Sequence, residues 1–460
     1  MRFKENVLQV NESRRRPMLQ VMEAALSAVD PAVAVERALR RHGADLQVGD
    51  QRYDLDAFRR ILILGAGKAG TPMAQAAAAI LGDRIADGFV VVKTEHSGPC
   101  RRIEIVEAAH PVPDEAGVAA GERILALAES AGPEDLVITL LSGGGSALLV
   151  APAAGISLRE LQAMTDALLA SGATINEINC LRKHCSRIKG GQLARAVQPA
   201  TLITLVLSDV VGSPLDVIAS GPTVADSSTW QDAWAIVQRY ELESKLPASI
   251  VTRLKSGLAG QLPDTPKTAD PAFAAARTLI IGDNRVAALA AAQAATSLGF
   301  NARLLTTYLE GEAVQVAQFA VALAREVRAA GHLVAPPACL IMGGETTVQL
   351  GHHPGRGGRN QTLALAAALA LDGLGDEAAG ITIVSLATDG TDGPTDSAGA
   401  MADGLTVSRG ARAGLDAAAH LRADNAYPFL AAAHDLLLTG PTQTNVNDLI
   451  FIFVDDPARL

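Results

Sequence analysis

Short runs of valine, isoleucine and leucine recur along the chain, each ending in a glycine-bearing turn and followed by a longer segment rich in alanine and leucine. Such short apolar runs are typical of strands buried on both faces, and the segments between them have the length of helices. The alternation predicts parallel βαβ units. Predicted strands in the first half cover 61–64, 89–92, 103–106, 136–141 and 202–207.

A polar, proline-containing stretch at 241–271 interrupts this rhythm, and apolar runs resume at 279–281. We therefore predict an α/β fold with two α/β domains. Residues 1–245 form a Rossmann-like domain with a doubly wound, mostly parallel sheet, 246–275 form a linker, and 276–460 form a smaller α/β domain. Such folds bind ligands at the carboxyl ends of their strands, so we expect the active site in the cleft between the domains.

Composition narrows the class of protein further. The 460 residues are 49% hydrophobic and only 3% aromatic, which suits two aliphatic cores. The net charge of −10 argues against nucleic acid or an anionic membrane as partner. Four cysteines form no disulfide framework, and the first twenty residues lack the apolar segment of a signal peptide. These features predict a cytoplasmic protein.

The first candidate for chemistry is the turn Gly65–Gly70, which follows a predicted strand and opens an alanine-rich helix. Its spacing matches the dinucleotide fingerprint. Gly67 allows close approach to the backbone, and the ammonium of Lys68 would project toward an anion at the helix start. Phosphate or carboxylate binding is the favoured interpretation; dinucleotide binding and simple tight packing stay open.

Two more polar turns end predicted strands in the first domain. Ser142, Gly143, Gly144 and Gly145 form a turn whose N–H groups and hydroxyl suit an anion, although an ordinary glycine-rich turn explains the same residues. Asp209 follows the strand at 202–207 and suits a role in orienting a hydroxyl, accepting its proton or holding magnesium. A helix cap is the competing role for Asp209.

The loop 351–361 of the second domain carries four glycines and the two arginines Arg356 and Arg359, followed by Asn360. Glycine-rich backbone and guanidinium groups together suit phosphate or carboxylate, whereas the simpler interpretation is a flexible basic turn.

Several acids and one amide also follow predicted strands in this domain. Glu345 comes after two glycines, and Asn284 opens a helix. Asp389 and Asp392 lie in a loop that lacks the full calcium-binding pattern, so magnesium with substrate phosphate is the favoured ligand. Aspartates that complete their own tight turns are the structural alternative.

Taken in order, these motifs resemble the class II glycerate kinases, also called glycerate 2-kinases of the MOFRL type, over almost the whole chain. The segments that carry the resemblance are ILILGAGKAG at 61–70, HPVPD at 110–114, LLSGGGSALL at 140–149, NEINCLRKHCSRIKGGQLA at 176–194, SDVVGSPLDVIASGPT at 208–223, GGETTV at 343–348, GRGGRNQ at 355–361, ATDGTDGPTDSAGA at 387–400 and NDLIFIF at 447–453. The set is specific, although each member alone is weak.

The resemblance implies transfer of the γ-phosphoryl group of ATP to D-glycerate, with Mg²⁺ as cofactor and 2-phosphoglycerate as product. It also implies that the second domain is of the MOFRL type. The family's functional lysine corresponds to Lys68, and its functional arginine to Arg359 in preference to Arg356. We expect Asp209 to orient or deprotonate the acceptor hydroxyl, and Glu345, Asp389 and Asp392 to lie near Mg-ATP. The oligomeric state stays open, with a homodimer among the options.

Two other functions remain as alternatives. One is an NAD(P)H-dependent hydroxypyruvate reductase, which the glycine turn at 65–70 favours but for which no complete hydride-transfer site is visible. The other is a noncatalytic sensor of a sugar acid or nucleotide, which would need fewer acids and cations. The phosphate-binding loop of P-loop enzymes and the catalytic motif of protein kinases are both absent from the sequence.

Overall fold

A computed structural model describes residues 3–456. The chain forms two compact units. The first, which we call the parallel-sheet unit, is Pro31–Ile281. The second, which we call the mixed-sheet unit, combines the residues up to Asp30 with those from Gly282 onward. The chain therefore contributes helix α1 (Glu12–Ala28) to the mixed-sheet unit before it builds the whole parallel-sheet unit.

The parallel-sheet unit alternates strands and helices. In chain order its elements are α2 (Pro31–Ala38), β1 (Leu39–His42), β2 (Asp45–Val48), β3 (Gln51–Asp54), β4 (Arg60–Ala66), α3 (Gly70–Leu81), β5 (Ile85–Lys93), β6 (Glu104–Ala108), α4 (Glu115–Glu129), β7 (Asp135–Leu141), α5 (Gly145–Leu148), α6 (Leu158–Ala170), α7 (Ile175–His184), α8 (Gln192–Val197), β8 (Thr201–Leu207), α9 (Trp230–Arg239), α10 (Ala248–Leu258) and β9 (Ala276–Gly282). Strands β1 to β3 form a small antiparallel sheet.

The main sheet of this unit has the order β6-β5-β4-β7-β8-β9, and each neighbouring pair from β6 to β8 is parallel. Strand β7 is buried along its whole length, as its continuous apolar sequence predicts. The order reverses between β4 and β7, so the loops that follow these two strands diverge and leave a crevice at their carboxyl ends. The predicted Rossmann-like, doubly wound architecture is confirmed.

The mixed-sheet unit contains the remaining elements. They are α11 (Asn284–Ser297), β10 (Asn301–Glu312), α12 (Ala313–Ala330), β11 (Ala338–Thr347), α13 (Arg359–Asp372), β12 (Ile381–Ala387), β13 (Gly399–Asp403), α14 (Thr406–Arg412), α15 (Ala417–Arg422), α16 (Ala426–Ala432), β14 (Leu436–Leu437) and β15 (Asp448–Val454). The sheet order is β10-β11-β15-β12-β13-β14. Only β10 and β11 are parallel among its described pairs, and α12 and α13 pack into its core.

The division into units differs from the predicted domain boundaries around 246–275. This segment is no linker, because it contains α10, which packs with α6, α7 and α9 in a hydrophobic cluster around Trp230. Gly257 lies so close to the Trp230 ring that a β-carbon there would come within 2.1 Å of it. Strand β9, predicted as the first strand of the second domain, instead belongs to the parallel sheet beside β8. An apolar run does not reveal which sheet it joins.

The N-terminal segment was predicted to belong to the first domain, but helix α1 belongs to the mixed-sheet unit. Arg15, which is only 2% exposed, donates to the carboxylates of Asp403 at 2.9 Å and Asp435 at 2.5 Å. Arg409 contacts the same two carboxylates. Removing one member of a buried charge network leaves the others unpaired, so these contacts attach α1 firmly to the mixed-sheet unit.

No single helix among residues 3–456 is long and apolar enough to cross a membrane. The bent pair Glu12–Ala28 with Pro31–Ala38 meets that criterion only when taken together, by length and composition, as core helices of compact proteins also do.

Candidate active site

The glycine turn between β4 and α3 packs directly against the turn that follows β7. Gly67 has a φ of 137°, and a β-carbon at this position would lie 2.1 Å from the Ser142 hydroxyl oxygen. That oxygen accepts a hydrogen bond from the Ala69 N–H at 3.0 Å. In a dinucleotide fold the second glycine makes room for a pyrophosphate. Here the space beside Gly67 holds Ser142.

Lys68 lies at the centre of this strand-end region. Its backbone N–H donates to the Gly143 carbonyl at 2.9 Å, which links the two turns. A β-carbon on Gly144 would lie 3.3 Å from the Lys68 side chain and 3.1 Å from the His110 ring. Within residues 3–456 the Lys68 ammonium forms no hydrogen bond or ion pair. A partly buried cation of this kind is suited to an anionic ligand.

His110 is held neutral by its surroundings. Burial of the ring, reinforced by the positive charge of Lys68, lowers the pKa of His110 to about 4. At neutral pH the imidazole therefore adds no charge, and one ring nitrogen acts as donor while the other acts as acceptor.

Asp209 follows β8 and approaches Gly143. A β-carbon on Gly143 would come within 2.0 Å of an Asp209 carboxylate oxygen, so only glycine permits this approach. Gly145 is equally confined, because its β-carbon would lie 2.8 Å from that of Ala219. The structure thus brings Lys68, Asp209 and the turn from Ser142 to Gly145 together at the crevice between β4 and β7.

A cavity of about 620 Å³ opens beside these groups, within the parallel-sheet unit. This volume is in the range of pockets for nucleotide-sized or drug-sized ligands. Its apolar wall includes Leu161, Met164 and Leu169, and its polar lining includes His110, Ser146, Asn179, Arg182, Lys189 and Asp209. Apolar walls with a few polar groups are typical of small-molecule sites.

Hydrogen bonds order part of the polar wall. The hydroxyls of Ser146 and Ser220 lie 2.8 Å apart, and Ser220 donates to the Asn179 side-chain oxygen at 3.1 Å. Ser220 and its neighbour Ala219 have positive φ angles of 61° and 51°. Backbone held in this region is concentrated at ligand sites, where surrounding contacts keep it in place.

Arg359 is the centre of a second polar cluster, in the mixed-sheet unit. Its Nε and Nη2 atoms donate to the two carboxylate oxygens of Asp448 at 2.6 and 3.1 Å. Its Nη1 atom donates to Glu345 at 2.8 Å. The bidentate pair with Asp448 fixes the plane of the guanidinium. Glu345 lies near the end of β11. Its ion pair with Arg359 is more exposed than the pair with Asp448 and therefore contributes less to stability.

The net charge of this cluster bears on the prediction that the loop 351–361 binds phosphate or carboxylate. With both carboxylates ionised, Arg359, Glu345 and Asp448 carry a net charge of −1, which does not favour a bare anion. Burial raises the pKa of Asp448 to about 6, and the hydrogen bonds from Arg359 oppose that rise. A metal-bound phosphate or a ligand that displaces Glu345 suits this site better than a free anion.

The other arginine of the loop is also paired. The Arg356 guanidinium lies 3.8 Å from the centre of the Tyr427 ring and donates to Asp396 at 3.3 Å. Asp396 accepts a second hydrogen bond from the Tyr427 hydroxyl at 2.7 Å. Arg356 and Asp396 border an open cavity of about 510 Å³ that Thr391 also lines.

Asp392 anchors the start of helix α13. Its carboxylate accepts from the backbone N–H groups of Asn360 and Gln361 at 3.1 and 2.8 Å, and from both side-chain amides. It is only 2% exposed, and burial raises its pKa against these hydrogen bonds. Because both of its carboxylate oxygens accept hydrogen bonds, Asp392 is better suited to a structural role than to the predicted metal binding. Asn360 is likewise buried, donating to Asp392 and accepting from Ser385.

The predicted magnesium partner Asp389 has a more open carboxylate. Among the described residues, hydrogen bonds reach only its Oδ1 atom, from the N–H and hydroxyl of Thr391. Residues 3–456 contain no group of three histidine, cysteine, aspartate or glutamate side chains that could hold a metal by themselves. Mg²⁺ in phosphoryl-transfer enzymes is bound through one or two carboxylates plus substrate phosphates, so Asp389 alone is compatible with such a site.

Asn284 has a structural position at the start of α11. Its side-chain amide donates to the carbonyls of Val446 and Asp448, both at 2.9 Å. Gly343 leaves room for it, since a β-carbon there would lie 1.7 Å from the Asn284 oxygen. That oxygen is buried without a hydrogen-bond partner among the described residues. Asn284 therefore supports the strand that presents Asp448.

Three charged residues of these sites did not stand out in the sequence: Arg182, Lys189 and Asp448. All three lie inside segments that carry the family resemblance, at 176–194 and 447–453. No local pattern distinguishes them, because their significance depends on burial and on partners distant in the chain.

Comparison with known proteins finds relatives that match nearly the whole chain. A domain of unknown function, DUF4147, matches residues 17–255, and the MOFRL family matches residues 338–448. The D-glycerate 2-kinase of Thermotoga maritima is 41% identical over 95% of this chain and 98% of its own. A relative from Agrobacterium vitis, provisionally named a hydroxypyruvate reductase, is 42% identical over 96% and 95% of the two chains. The crystal structure of a Thermotoga maritima glycerate kinase superimposes with a TM-score of 0.85 at 40% identity, covering 96% of this chain and all of that one.

The doubly wound sheet, with a lysine and a carboxylate at its strand ends beside a ligand-sized cavity, defines an α/β enzyme that acts on small molecules. Within that class, the chain belongs to the glycerate kinase family that combines the DUF4147 and MOFRL domains.

Proposed function

We propose that this protein transfers the γ-phosphoryl group of ATP to the 2-hydroxyl group of D-glycerate, giving 2-phosphoglycerate and ADP. The observation that carries the proposal is the approach of Lys68 and Asp209 to the adjacent glycines Gly144 and Gly143 at the crevice of the doubly wound sheet. A cation and a carboxylate at this edge supply the two functions that the reaction needs most: charge neutralisation and control of a hydroxyl proton.

In the proposed reaction the 2-hydroxyl oxygen of glycerate attacks the γ-phosphorus while the bond from that phosphorus to the bridging oxygen of ATP breaks. Asp209 orients the hydroxyl and accepts its proton as the new bond forms. Lys68 neutralises negative charge on the phosphoryl oxygens or binds the glycerate carboxylate. Little covalent chemistry is required of the protein, so positioning and electrostatic stabilisation account for most of the rate.

Within the mixed-sheet unit, Asp448 orients the guanidinium of Arg359. Two of its five N–H groups are not used by Asp448 or Glu345 and are available to phosphate or carboxylate oxygens. Mg²⁺ bound with ATP would neutralise phosphate charge, and Asp389 is the residue whose carboxylate is best suited to hold it. We therefore keep Asp389 and no longer include Asp392 as a candidate magnesium ligand, because both Asp392 carboxylate oxygens accept hydrogen bonds.

The alternative of a nicotinamide-dependent reductase has less support. The glycine turn at 65–70 was the main reason to expect a reductase. However, Ser142 fills the space beside Gly67 and accepts a hydrogen bond from the Ala69 N–H. Gly70 has a packing role as well, since a β-carbon there would lie 2.8 Å from both Val90 and Val92. Glycine at these positions is explained without a dinucleotide.

Two parallel assays separate the kinase from the reductase. The first measures ADP formed from D-glycerate and Mg-ATP, and the second measures NADH or NADPH consumed with hydroxypyruvate. The proposal requires glycerate-dependent ADP formation. Cofactor oxidation with hydroxypyruvate, in the absence of ADP formation, would establish the reductase. We further propose D-glycerate and ATP as the partners of the protein and the cytoplasm as its location.

A further inference from the structure

Helix α7 ends in two consecutive cations that have different surroundings. Lys183 is buried and donates to Asp226 at 3.2 Å and Asp216 at 3.4 Å, so its charge is balanced within the fold. Arg182 lines the cavity of the parallel-sheet unit instead. It forms no side-chain hydrogen bond or ion pair within residues 3–456. The pairing of Lys183 shows that the fold can neutralise a cation at this helix end; Arg182 is left without such a partner.

An unpaired guanidinium in a partly buried position is unfavourable, because it loses water without gaining a carboxylate. The effect is visible in the pKa of Arg182, which burial lowers. A second cation, Lys189, lines the same cavity and is 5% exposed. Its ammonium donates to the carbonyls of Ser146 and Leu149 at 2.6 and 2.9 Å. Lys189 is therefore committed to holding the backbone of α5, whereas Arg182 keeps all its donors for a ligand.

We propose that Arg182 binds an oxyanion, a carboxylate or phosphate group, of the ligand that enters this cavity. A planar guanidinium can donate two parallel hydrogen bonds to either group. The inference rests on the proposed function for the identity of that oxyanion, which is the carboxylate of D-glycerate or a phosphate of ATP. The existence of the oxyanion site itself follows from the cavity and the missing partner.

Steady-state kinetics of Arg182→Gln and Arg182→Lys distinguish the two sources. If Arg182 binds glycerate, KM for D-glycerate rises by at least about 10-fold while KM for ATP is unchanged, the scale expected for losing a hydrogen bond to a charged group. If it binds ATP, KM for ATP rises by that factor instead. Arg187→Gln is the matched control, since Arg187 lies five residues further on in an exposed pair with Glu122. Wild-type KM values for both substrates in both Arg182 variants would overturn the proposal.

A second measurement does not depend on catalysis. Phenylglyoxal modifies accessible arginines, and mass spectrometry of peptides reports Arg182 and Arg187 separately in the wild-type protein. Saturating D-glycerate, ATP or inorganic phosphate should slow modification of Arg182 at least about 5-fold and leave Arg187 unchanged. If none of these three anions protects Arg182, the oxyanion site does not exist. Protection by phosphate in a protein without kinase activity would support the site while refuting the proposed function.

Discussion

Arg359 donates two hydrogen bonds to Asp448, at 2.6 and 3.1 Å, across the start of helix α13 and the start of strand β15. The contact joins residues 89 positions apart in the chain. Asp448 is 2% exposed, so the pair orients a guanidinium that is itself about one-third exposed. We expect ligand binding by Arg359 to depend on this orientation, because a lysine would retain the charge without the planar pair of donors.

Arg359→Lys should therefore lose as much activity as Arg359→Ala, a decrease in kcat/KM of at least about 10²-fold. Asp448→Asn should have a smaller effect, because the arginine keeps its charge but loses part of its orientation. Steady-state kinetics with both substrates measure these effects, and Arg325→Ala, which breaks an exposed pair with Glu377, is the control. Near-normal kcat/KM in Arg359→Lys would show that the bidentate geometry is unimportant.

Lys68→Ala should leave the fold nearly intact, since its ammonium has no partner within residues 3–456 to be left unpaired. We expect kcat/KM to fall by at least about 10²-fold, the scale of a transition-state charge contact. Lys255→Ala, which removes an exposed pair with Glu243 in the same unit, should have no effect. A Lys68→Ala enzyme with wild-type kcat/KM and an unchanged melting temperature would remove Lys68 from the mechanism.

His110 should make stability depend on pH in a defined window. In the unfolded chain a histidine takes up its proton near pH 6.5, but in the folded protein the pKa of His110 is about 4. Between these values the unfolded state binds more protons, so stability decreases as pH falls from about 6.5 to about 4. The contribution of His110 is on the order of 2 kcal/mol.

Urea unfolding of the wild type and His110→Gln at pH 7, 5 and 4 tests this effect, because subtracting the two curves cancels other titrating groups. The stability difference between the two proteins should shift in favour of His110→Gln as the pH falls. NMR titration of Lys68→Met should also show a higher His110 pKa than in the wild type. A pKa that is the same in both proteins would mean that the Lys68 charge does not reach His110.

Asp389 and Asp392 should respond differently to substitution although they are three residues apart. Asp392→Ala removes the acceptor for the Asn360 and Gln361 N–H groups, so the free energy of unfolding should fall by about 2 kcal/mol or more. Asp389→Asn should leave unfolding within about 0.5 kcal/mol of the wild type and raise the Mg²⁺ concentration needed for half-maximal activity. The reverse pattern would restore Asp392 as the metal ligand.

The sequence predicted the strands best where they are buried on both faces. β4, β7 and β8 match apolar runs closely, since a buried parallel strand needs continuous apolar residues. Sheet membership was not predictable in the same way. Strand β9 resembles the others in composition, and its place beside β8 depends on tertiary packing. The attachment of α1 rests on the ion pairs of Arg15 with Asp403 and Asp435, which lie 388 and 420 residues away in the chain.

The candidate site shows the same limit. Glycines in polar turns mark the strand ends where Lys68 approaches Gly144 and Asp209 approaches Gly143, because close packing requires glycine there. The hydrogen-bond and ion-pair partners of the candidate residues could not be predicted from the sequence. Asp392 resembled a metal ligand until its oxygens proved to be occupied by helix α13, and Arg182 resembled its neighbour Lys183 until only one of them proved to be paired.

Above all, we propose that D-glycerate is phosphorylated at its 2-hydroxyl. Proton-coupled phosphorus NMR of a mixture containing the protein, D-glycerate and Mg-ATP tests it most directly, because the splitting of the product signal counts the protons on the carbon that carries the phosphate. We predict the decline of the γ-phosphate signal of ATP and the growth of a monoester doublet, from phosphate on the single-proton carbon 2. A triplet would place the phosphate on carbon 3, and a spectrum in which ATP persists unchanged would contradict the kinase account altogether.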